Sequence, residues 1–448
     1  MGKRVAIIGA GPAGLAVGLR LRELGVENWC IFEKEERVGG LCASFKDDAG
    51  FTWDQGGHVL FSKDDAIDSL FENIMDGNYL RHEREAWIKL GTKWIPYPFQ
   101  NNIRYLAAPE ILRCLRGLLK ARGKNKAGLK GPTNFDEWIS DTFGEGIAAL
   151  FMHPYNNKVW AWPLEQLSFQ WIGERVSVPS PRRILTSIVL GKDDAGWGPN
   201  NVFKFPLSGG TGDIFERMAE TFREKIRVQE GIVHIDIERK EFETAKGACE
   251  DYDILVSSAP LSDLMRMISG NSSGVPKEAA SGLKHNRVTV VGVGLEKSTD
   301  SSKCWMYFPD PSLPFYRITN FSHYSHNNVP GGFVNKYSSL MCEIAHSDVR
   351  PNQEEEIVQK TLGGLRNLGF LAHDEKPISL FVKTLEKAYP IPTRDRDNRL
   401  AEIQPYLMEH NIHSIGRFGT WRYEIGNMDH AVKMGTNLAE TLAQRLYA

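Results

Sequence analysis

Residues 4–40 constrain this chain more than any other stretch. The run 5–8 is apolar and mostly β-branched, which predicts a strand buried on both faces. Gly9, Gly11 and Gly14 follow it in G-x-G-x-x-G spacing, and a leucine-rich helical pattern comes next. The first glycine allows a tight turn, the second lets backbone approach a pyrophosphate, and the third lets the helix pack on the strand. The order strand, turn, helix therefore predicts a dinucleotide site.

The segment after this helix supports the same interpretation. Residues 29–32 predict a second buried strand, and Glu33 ends it, about 20 residues after the last glycine, where a carboxylate can accept hydrogen bonds from ribose hydroxyls. A carboxylate here favours an unphosphorylated 2′-hydroxyl, as in FAD or NAD. Arg37, Gly39 and Gly40 form a second basic, glycine-rich turn that offers donors to a pyrophosphate or a flavin. The alternative for Arg37 is a solvated surface charge.

Composition narrows the class of protein. The chain has 448 residues, enough for two or three domains, and its net charge of −2 gives no support to a nucleic-acid partner. Six cysteines without C-x-x-C spacing argue against a zinc site or a disulfide framework and suit a reducing compartment. No apolar stretch approaches the ~20 residues of a membrane helix. We expect a cytoplasmic protein with no metal and no membrane insertion.

Three later segments have the pattern of a ligand site. In residues 50–62, Gly57 precedes His58, so that backbone without a side chain could admit a bulky ring; a glycine turn with a packed histidine is the alternative. Residues 96–100 read PYPFQ, whose two prolines predict an extended segment that presents aromatics and an amide. Residues 151–180 are aromatic and irregular in pattern, which favours a pocket wall over a regular helix.

With these segments in view, the chain resembles the UDP-galactopyranose mutases, and the eukaryotic-type branch more than the common bacterial one. The resemblance runs from Val5 to the C-terminal helix. It is carried by the motifs WDQGGHVLFS, PYPFQNN, PYNNKVWAWP, GERVSVP, WGPN, CWMYFP, FYRITNFS, AYPIPTRDRD and GRFGTWRYEIGNMDH. Apart from the first, none of these is a general flavoprotein signal.

The resemblance implies a flavin-dependent isomerase that interconverts UDP-galactopyranose and UDP-galactofuranose. Reduced FAD acts in that family as a nucleophile, through N5, on the anomeric carbon of the sugar, with UDP as the leaving group. The net reaction is not redox, so NADPH or NADH is expected as the reductant that prepares the flavin. The partner is a UDP-sugar, and the oligomeric state is open, with a homo-oligomer among the alternatives.

The implied fold class is α/β, with a glutathione-reductase-type, Rossmann-like FAD-binding domain, an inserted helical domain and an antiparallel β-sheet substrate domain. We expect the FAD-binding domain at 1–86, 203–286 and 405–448. The helical, uridine-binding insertion is expected at 104–190, the sheet domain at 87–103 and 287–404, and a mobile flap at 191–202.

The resemblance also assigns residues to roles. His58, Arg175 and Arg317 are expected to be catalytic, with the two arginines clamping the substrate's pyrophosphate. The cofactor would be bound by Gly9, Gly11, Gly14, Glu33, Arg37, Gly39, Gly40, Gly57, His58, Arg417, Asn427 and Met428. The substrate would be bound by Tyr97, Phe99, Gln100, Asn156, Trp160, Arg175, Asn200, Trp305, Tyr307, Arg317, Tyr389 and Tyr423. Within this set, Tyr97 and Phe99 would stack on uracil, and Gln100 and Asn156 would meet its edge.

Three positions depart from the family pattern. His153 replaces an expected arginine, Asn157 an aromatic residue and Met428 a glutamine, which leaves base contacts and flavin hydrogen bonding open. Three alternative functions also remain. Two of them are the same chemistry on another nucleotide sugar and a net redox flavoenzyme of the amine-oxidase type. A non-catalytic binder of nucleotide sugars is the third.

Overall fold

The computed structural model describes residues 3–126, 131–173, 176–194, 202–270, 275–299, 301–352 and 354–447. The strands are, in chain order, β1 Val5–Ile8, β2 Trp29–Phe32, β3 Ser44–Lys46, β4 Thr52–Asp54, β5 Tyr79–Glu83, β6 Ala86–Leu90, β7 Lys93–Pro96, β8 Val202–Pro206, β9 Ile226–Arg227, β10 Ile232–Asp236, β11 Glu241–Thr244, β12 Cys249–Asp251, β13 Ile254–Ser257, β14 Ile268–Ser269, β15 His285–Leu295, β16 Trp305–Tyr307, β17 Arg317–Asn320, β18 Ser338–His346, β19 Ser379–Pro390 and β20 Ile412–Ser414.

The α-helices alternate with these strands in the N-terminal part and cluster in the middle of the chain. They are α1 Pro12–Glu23, α2 Asp65–Met75, α3 Ala108–Lys126, α4 Phe135–Ile147, α5 His153–Trp160, α6 Pro181–Leu190, α7 Gly212–Glu220, α8 Leu261–Met267, α9 Lys277–Ser281, α10 Glu354–Asn367, α11 Arg396–Glu409, α12 Gly416–Gly419 and α13 Met428–Tyr447.

A parallel sheet organises the dinucleotide-binding part, with strand order β20-β13-β1-β2-β9. All four residues of β1 are buried, because helices cover one face and a second sheet with α8 and α11 covers the other. On the first face α13 packs tightly on α1, and a Cβ at Gly435 would lie 2.4 Å from the Ala13 carbonyl oxygen. The predicted strands at 5–8 and 29–32 are confirmed.

The second large sheet has seven strands, in the order β19-β15-β18-β17-β16-β6-β7. Its pairs are antiparallel except β16 with β6, which run parallel. One face packs on α10 through Ile357 and Leu365. The other face meets the helices α3 to α5 in a separate core that contains many aromatic side chains.

The helical segment is held together by close glycine contacts. A Cβ at Gly144 would lie 2.2 Å from the carbonyl carbon of Gly117, and one at Gly146 would lie 2.7 Å from the Cα of Cys114. Because these glycines lack side chains, α3 and α4 approach closely and support the aromatic core from outside. Within the described ranges, no helix has the length and apolarity to cross a bilayer.

The predicted fold class is confirmed, and residues 79–83 form β5, which pairs with β8. Two local expectations need correction. The segment expected to be extended at 96–100 instead makes a 3-10 turn at Phe99–Asn101, after a cis bond between Tyr97 and Pro98. The segment interpreted as irregular contains the helix α5, whose start follows directly from the helical residues 148–152.

Candidate functional site

The turn between β1 and α1 shows why glycines stand there. Gly9 has a φ of +92°, a value that favours glycine, and a Cβ at Gly14 would lie only 2.0 Å from the Gly9 carbonyl oxygen. Gly11 is the N-cap of α1, and among the described residues no side chain caps it. The nearest atom to a Cβ at Gly11 would be the Gly40 Cα, at 3.9 Å. The helix start therefore presents open backbone N–H groups, as an anion site requires.

The second glycine turn packs directly on the first. The Gly39 N–H donates to the Ala10 carbonyl at 2.8 Å, and both Gly39 and Gly40 have positive φ values, +97° and +53°. The Glu33 carboxylate accepts from the Ala10 N–H at 2.7 Å and from the Glu35 N–H at 2.9 Å. Burial raises the pKa of Glu33. The turn, the acid and the helix start thus form one cradle.

Arg37 uses its guanidinium on neighbouring protein atoms. It donates to the Ser44 carbonyl at 3.0 Å and to Glu36 at 3.0 Å, and it lies 4.5 Å from the centre of the Phe45 ring. It also lines a cavity of about 680 Å³ together with Lys46. Its predicted role as a cofactor ligand stays a prediction.

The Gly57–His58 segment reaches the seven-stranded sheet. The Gly57 N–H donates to Glu343 Oε1 at 3.0 Å. A Cβ at Gly57 would lie 2.7 Å from Thr319 Oγ1 and 2.9 Å from Trp305 Nε1, so only glycine fits there. Burial and the positive charge of Arg417 lower the pKa of His58 to about 4, so its imidazole is neutral at pH 7.

Arg317 and Glu343 form a buried ion pair on adjacent strands. They face each other across β17 and β18, and Arg317 donates through Nε and Nη2 to the two carboxylate oxygens at 2.8 and 2.7 Å. Glu343 is 1% exposed. Burial opposes its charge, yet Arg317 and the hydrogen bonds lower its pKa below the ordinary value. The pair is therefore charged on both sides.

Two tyrosines and a second arginine complete this part of the site. The Tyr389 and Tyr423 rings lie 5.5 Å apart, edge to face, and Trp160 packs on Tyr423 at 4.9 Å. Arg417 lies 5.5 Å from the Tyr389 ring centre and donates to the carbonyls of Gly426 and Ala388. Burial raises the pKa of Tyr389, so its hydroxyl stays protonated.

Known proteins of similar sequence and structure identify the family. A family model described as an NAD(P)-binding Rossmann-like domain matches residues 7–74. The crystal structure of a reduced UDP-galactopyranose mutase superposes with a TM-score of 0.95 at 37% sequence identity, covering 99% of this chain and 94% of that one. The chain belongs to the UDP-galactopyranose mutase family.

Other relatives share less with this member of the mutase family. A putative protoporphyrinogen oxidase from Exiguobacterium sp. has a TM-score of 0.75 at 16% identity, covering 99% of both chains, which shows the fold alone. Protoporphyrinogen oxidase 2 of Arabidopsis thaliana is 37% identical over 73 residues, 16% of this chain and 14% of that protein. The tobacco enzyme is 31% identical over 105 residues, 23% of this chain and 18% of that protein. The matches span less than a fifth of these curated relatives.

In this family member, the residues predicted to contact uracil comprise two aromatic side chains, Tyr97 and Phe99, and two amides, Gln100 and Asn156. Tyr97 packs on Tyr307 at 5.2 Å, and Tyr155 meets Tyr307 edge to face at 5.4 Å. Phe99 is 0% exposed and stacks on Phe151. In this conformation the 3-10 turn places the Phe99 ring in the core, and its stacking role with uracil stays a prediction.

The two predicted amides are engaged by backbone. Gln100 is buried and donates to the Ser177 carbonyl at 2.7 Å, and Asn156 donates to the Met152 carbonyl one turn earlier in its own helix at 2.8 Å. Their roles at the uracil edge remain predictions. Trp160, Trp305 and Tyr307 are nearly fully buried, and in the part of the chain described here the Nε1 atoms of both tryptophans have no hydrogen-bond partner.

Several predicted positions lie elsewhere or outside the described ranges. Arg175 and Asn200 are not among the described residues, and neither is most of the expected flap at 191–202. At the start of α13, Asn427 is exposed and Met428 is buried against the core of the parallel sheet.

Two of the departures from the family pattern have structural partners. His153 Nε2 lies 3.2 Å from Asp136 Oδ1. Asn157 accepts hydrogen bonds from Arg350 through both its backbone carbonyl and its side-chain oxygen, at 2.8 and 3.2 Å. Asn157 therefore ties α5 to the turn that follows β18.

Sequence reasoning missed three residues. Glu343 is the one acid in the apolar run SSLMCEIAH, and an arginine in the neighbouring strand FYRITNF could have indicated a buried pair. Tyr155 connects the Tyr307 ring to the core by stacking on Phe151 at 5.1 Å. Lys158 Nζ donates to three backbone carbonyls, and burial lowers its pKa to about 7. No sequence pattern pointed to the last two.

Proposed function

We propose that this chain is a flavin-dependent UDP-galactopyranose mutase, which interconverts UDP-galactopyranose and UDP-galactofuranose. The carrying observation is the convergence of Arg317, Tyr389, Tyr423 and Arg417 beside His58, in a chain with 37% identity to such a mutase over nearly its whole length. Permanent cations, neutral hydroxyls and a neutral imidazole suit a diphosphate leaving group held next to a cofactor.

The residues of the cradle fit FAD. The helix start at Gly11 has room for a pyrophosphate and open N–H groups to bind it. Each Glu33 oxygen accepts one backbone N–H, which leaves a second lone pair on each for a ribose hydroxyl. The backbone of this cradle, the Glu33 carboxylate and Gly57 would hold the cofactor, and the reduced flavin would supply the nucleophile through N5.

The pairing of Arg317 with Glu343 determines which of its N–H groups could bind a diphosphate. Its Nε and one Nη2 proton are given to Glu343, so the end of the guanidinium with Nη1 remains as a two-pronged donor. Glu343 also offsets its charge. A dianionic group therefore needs further positive charge, and Arg417 and the predicted partner Arg175 are the candidates.

His58 and the tyrosines would act as neutral groups. With a pKa of about 4, His58 adds no positive charge between Arg317 and Arg417, and its Nδ1, unpaired within the described residues, can accept a proton or a hydrogen bond. The Tyr389 and Tyr423 hydroxyls can donate to phosphate oxygens as the bond to the sugar breaks.

The identity of the sugar and the identity of the reductant are the most specific parts of the proposal. Galactose and reduction by NADPH or NADH follow from the family resemblance. Another nucleotide sugar would use the same arginine and tyrosines, so only turnover distinguishes the two. The net redox alternative has less support, because the curated oxidases match 14% and 18% of their own lengths.

The test is product analysis with the FAD-loaded protein. Dithionite-reduced protein should convert UDP-galactofuranose to UDP-galactopyranose, separated by anion-exchange chromatography, while the oxidised protein should not. A panel of UDP-hexoses run in parallel identifies the preferred sugar. Equal conversion by the oxidised protein, or faster turnover of a rival sugar, would contradict the proposal in its mechanism or in its substrate.

A further inference from the structure

Glu343 connects two parts of the site that come from distant segments. Its Oε1 accepts from the Gly57 N–H at 3.0 Å and from Arg317 Nε at 2.8 Å. Its Oε2 accepts from the Tyr316 hydroxyl at 2.6 Å and from Arg317 Nη2 at 2.7 Å. Four donors use the four acceptor positions of one carboxylate, so the side chain has no freedom to rotate without breaking a bond.

The contacts of Glu343 go further than an ion pair needs. A pair that only stabilised the sheet would be complete with the two bonds from Arg317. The third donor is the backbone of Gly57, next to His58, and the pocket around Gly57 is tight enough to exclude a Cβ. A shift of this carboxylate would therefore move the arginine and the glycine loop together.

We propose that Glu343 is a positioning residue that fixes the Arg317 guanidinium and the Gly57–His58 backbone in one mutual arrangement. The inference rests on the proposed function, because it takes Arg317 to meet the nucleotide sugar and His58 to lie against the flavin. Through this carboxylate, the substrate side and the cofactor side keep a fixed distance and orientation.

The substitution Glu343→Gln tests both connections in the FAD-loaded protein. An amide of the same shape keeps one acceptor oxygen and can serve only two of the four donors, so Arg317 loses its bidentate partner and the Arg317 and Gly57 contacts are no longer held by a carboxylate with both oxygens accepting. Although the lost negative charge no longer offsets that of Arg317, we expect the loss of a fixed guanidinium to prevail, so that UDP binds about 10- to 100-fold more weakly by titration calorimetry, the range found when outer partners of metal ligands are removed. The midpoint potential of the bound FAD should become more positive, because a negative charge is lost while Arg317 keeps its own.

Tyr316→Phe is the matched control. It removes one bond to the same carboxylate and leaves the Arg317 and Gly57 bonds in place. We expect much smaller changes in UDP affinity and in potential than in Glu343→Gln. In an Arg317→Ala background, Glu343→Gln should weaken UDP binding no further, while the potential should still move. Thermal unfolding of each variant separates these effects from a loss of stability.

The outcomes are distinguishable. Wild-type UDP affinity and potential in Glu343→Gln, or changes equal to those in Tyr316→Phe, would overturn the positioning role. If Glu343→Gln does not retain FAD, Glu343→Asp carries the test: it keeps the charge but is one methylene shorter, so unchanged UDP affinity there would overturn the proposal as well. A wild-type protein that neither binds UDP nor converts UDP-galactofuranose would instead refute the proposed function, and the inference with it.

Discussion

The proposed cofactor cradle and the proposed substrate clamp are built in opposite ways. The cradle, which comprises residues 9–14, Glu33 and residues 39–40, consists mainly of backbone segments that lie close together because their glycines lack side chains: a Gly14 Cβ would lie 2.0 Å from the Gly9 carbonyl oxygen. The clamp consists of side chains from distant segments that are held by a buried ion pair and ring contacts. Its members are His58, Arg317, Glu343, Tyr389 and Tyr423.

The difference predicts how each region responds to change. Adding an atom to the cradle should act through sterics and abolish cofactor binding or folding. Removing polar atoms from the clamp should leave the fold and the cofactor in place but reduce substrate binding and turnover.

Gly14→Ala should have the largest effect. Its new methyl group would meet backbone at 2.0 Å, so α1 must move off β1, and we expect no stable FAD-bearing protein. Gly11→Ala is the matched control: its methyl group would come no closer than 3.9 Å to another residue, so the protein should fold but retain less FAD. Bound-flavin absorbance and thermal melting measure both. A Gly14→Ala variant with wild-type flavin content would contradict the steric account of the cradle.

Arg317→Ala should produce the largest effect in the clamp. It leaves the Glu343 charge buried without its partner, which costs about 3–5 kcal/mol of unfolding free energy, and it removes the proposed donor to the leaving group. We expect kcat/KM to fall about 100-fold or more. Urea unfolding measures the loss of unfolding free energy, and steady-state kinetics of the reduced enzyme measures the fall in kcat/KM.

Arg287→Ala is the control for Arg317→Ala, since Arg287 lies in the same sheet but pairs with Asp348 and Glu386 at the surface. Exposed pairs contribute about 0–1 kcal/mol, so stability and turnover should hardly change. Similar losses in the two variants would remove the distinction between the clamp and the rest of the sheet.

His58 should make stability depend on pH in a known direction. Its pKa is about 4 in the folded protein and near 6.5 when unfolded, so the unfolded state binds more protons as pH falls. Stability from this group is therefore complete above about pH 6.5 and lost towards pH 4, by about 3 kcal/mol. We would measure the free energy of unfolding in urea for wild type and His58→Gln between pH 4 and 7. The difference between the two proteins should change by this amount over that range, because the contributions of other groups cancel in it. A constant difference would contradict it.

The two regions also differ in how far sequence could predict them. The cradle and its strands could be predicted because Gly9, Gly14 and Glu33 lie within one contiguous stretch. Their spacing in the sequence determines how the turn, the helix and the second strand are arranged. Glu343 could not be assigned, because its partners Gly57 and Arg317 are far away in sequence and only the sheet register brings them together. The extended segment predicted at 96–100 from two prolines was wrong, because the chain turns at Phe99–Asn101 and buries the Phe99 ring.

Tyr389→Phe and Tyr423→Phe should give the smallest effects that still separate the regions. Each variant keeps the ring contact at 5.5 Å and loses one neutral hydroxyl, worth about 0.5–1.5 kcal/mol, so we expect kcat/KM to fall about 3- to 10-fold with FAD content unchanged. Tyr79→Phe, which loses a hydrogen bond to Glu72 away from the clamp, should leave turnover unchanged. Because the two rings touch, the double variant should deviate from the product of the single effects, and strict additivity would show that the hydroxyls act on separate groups.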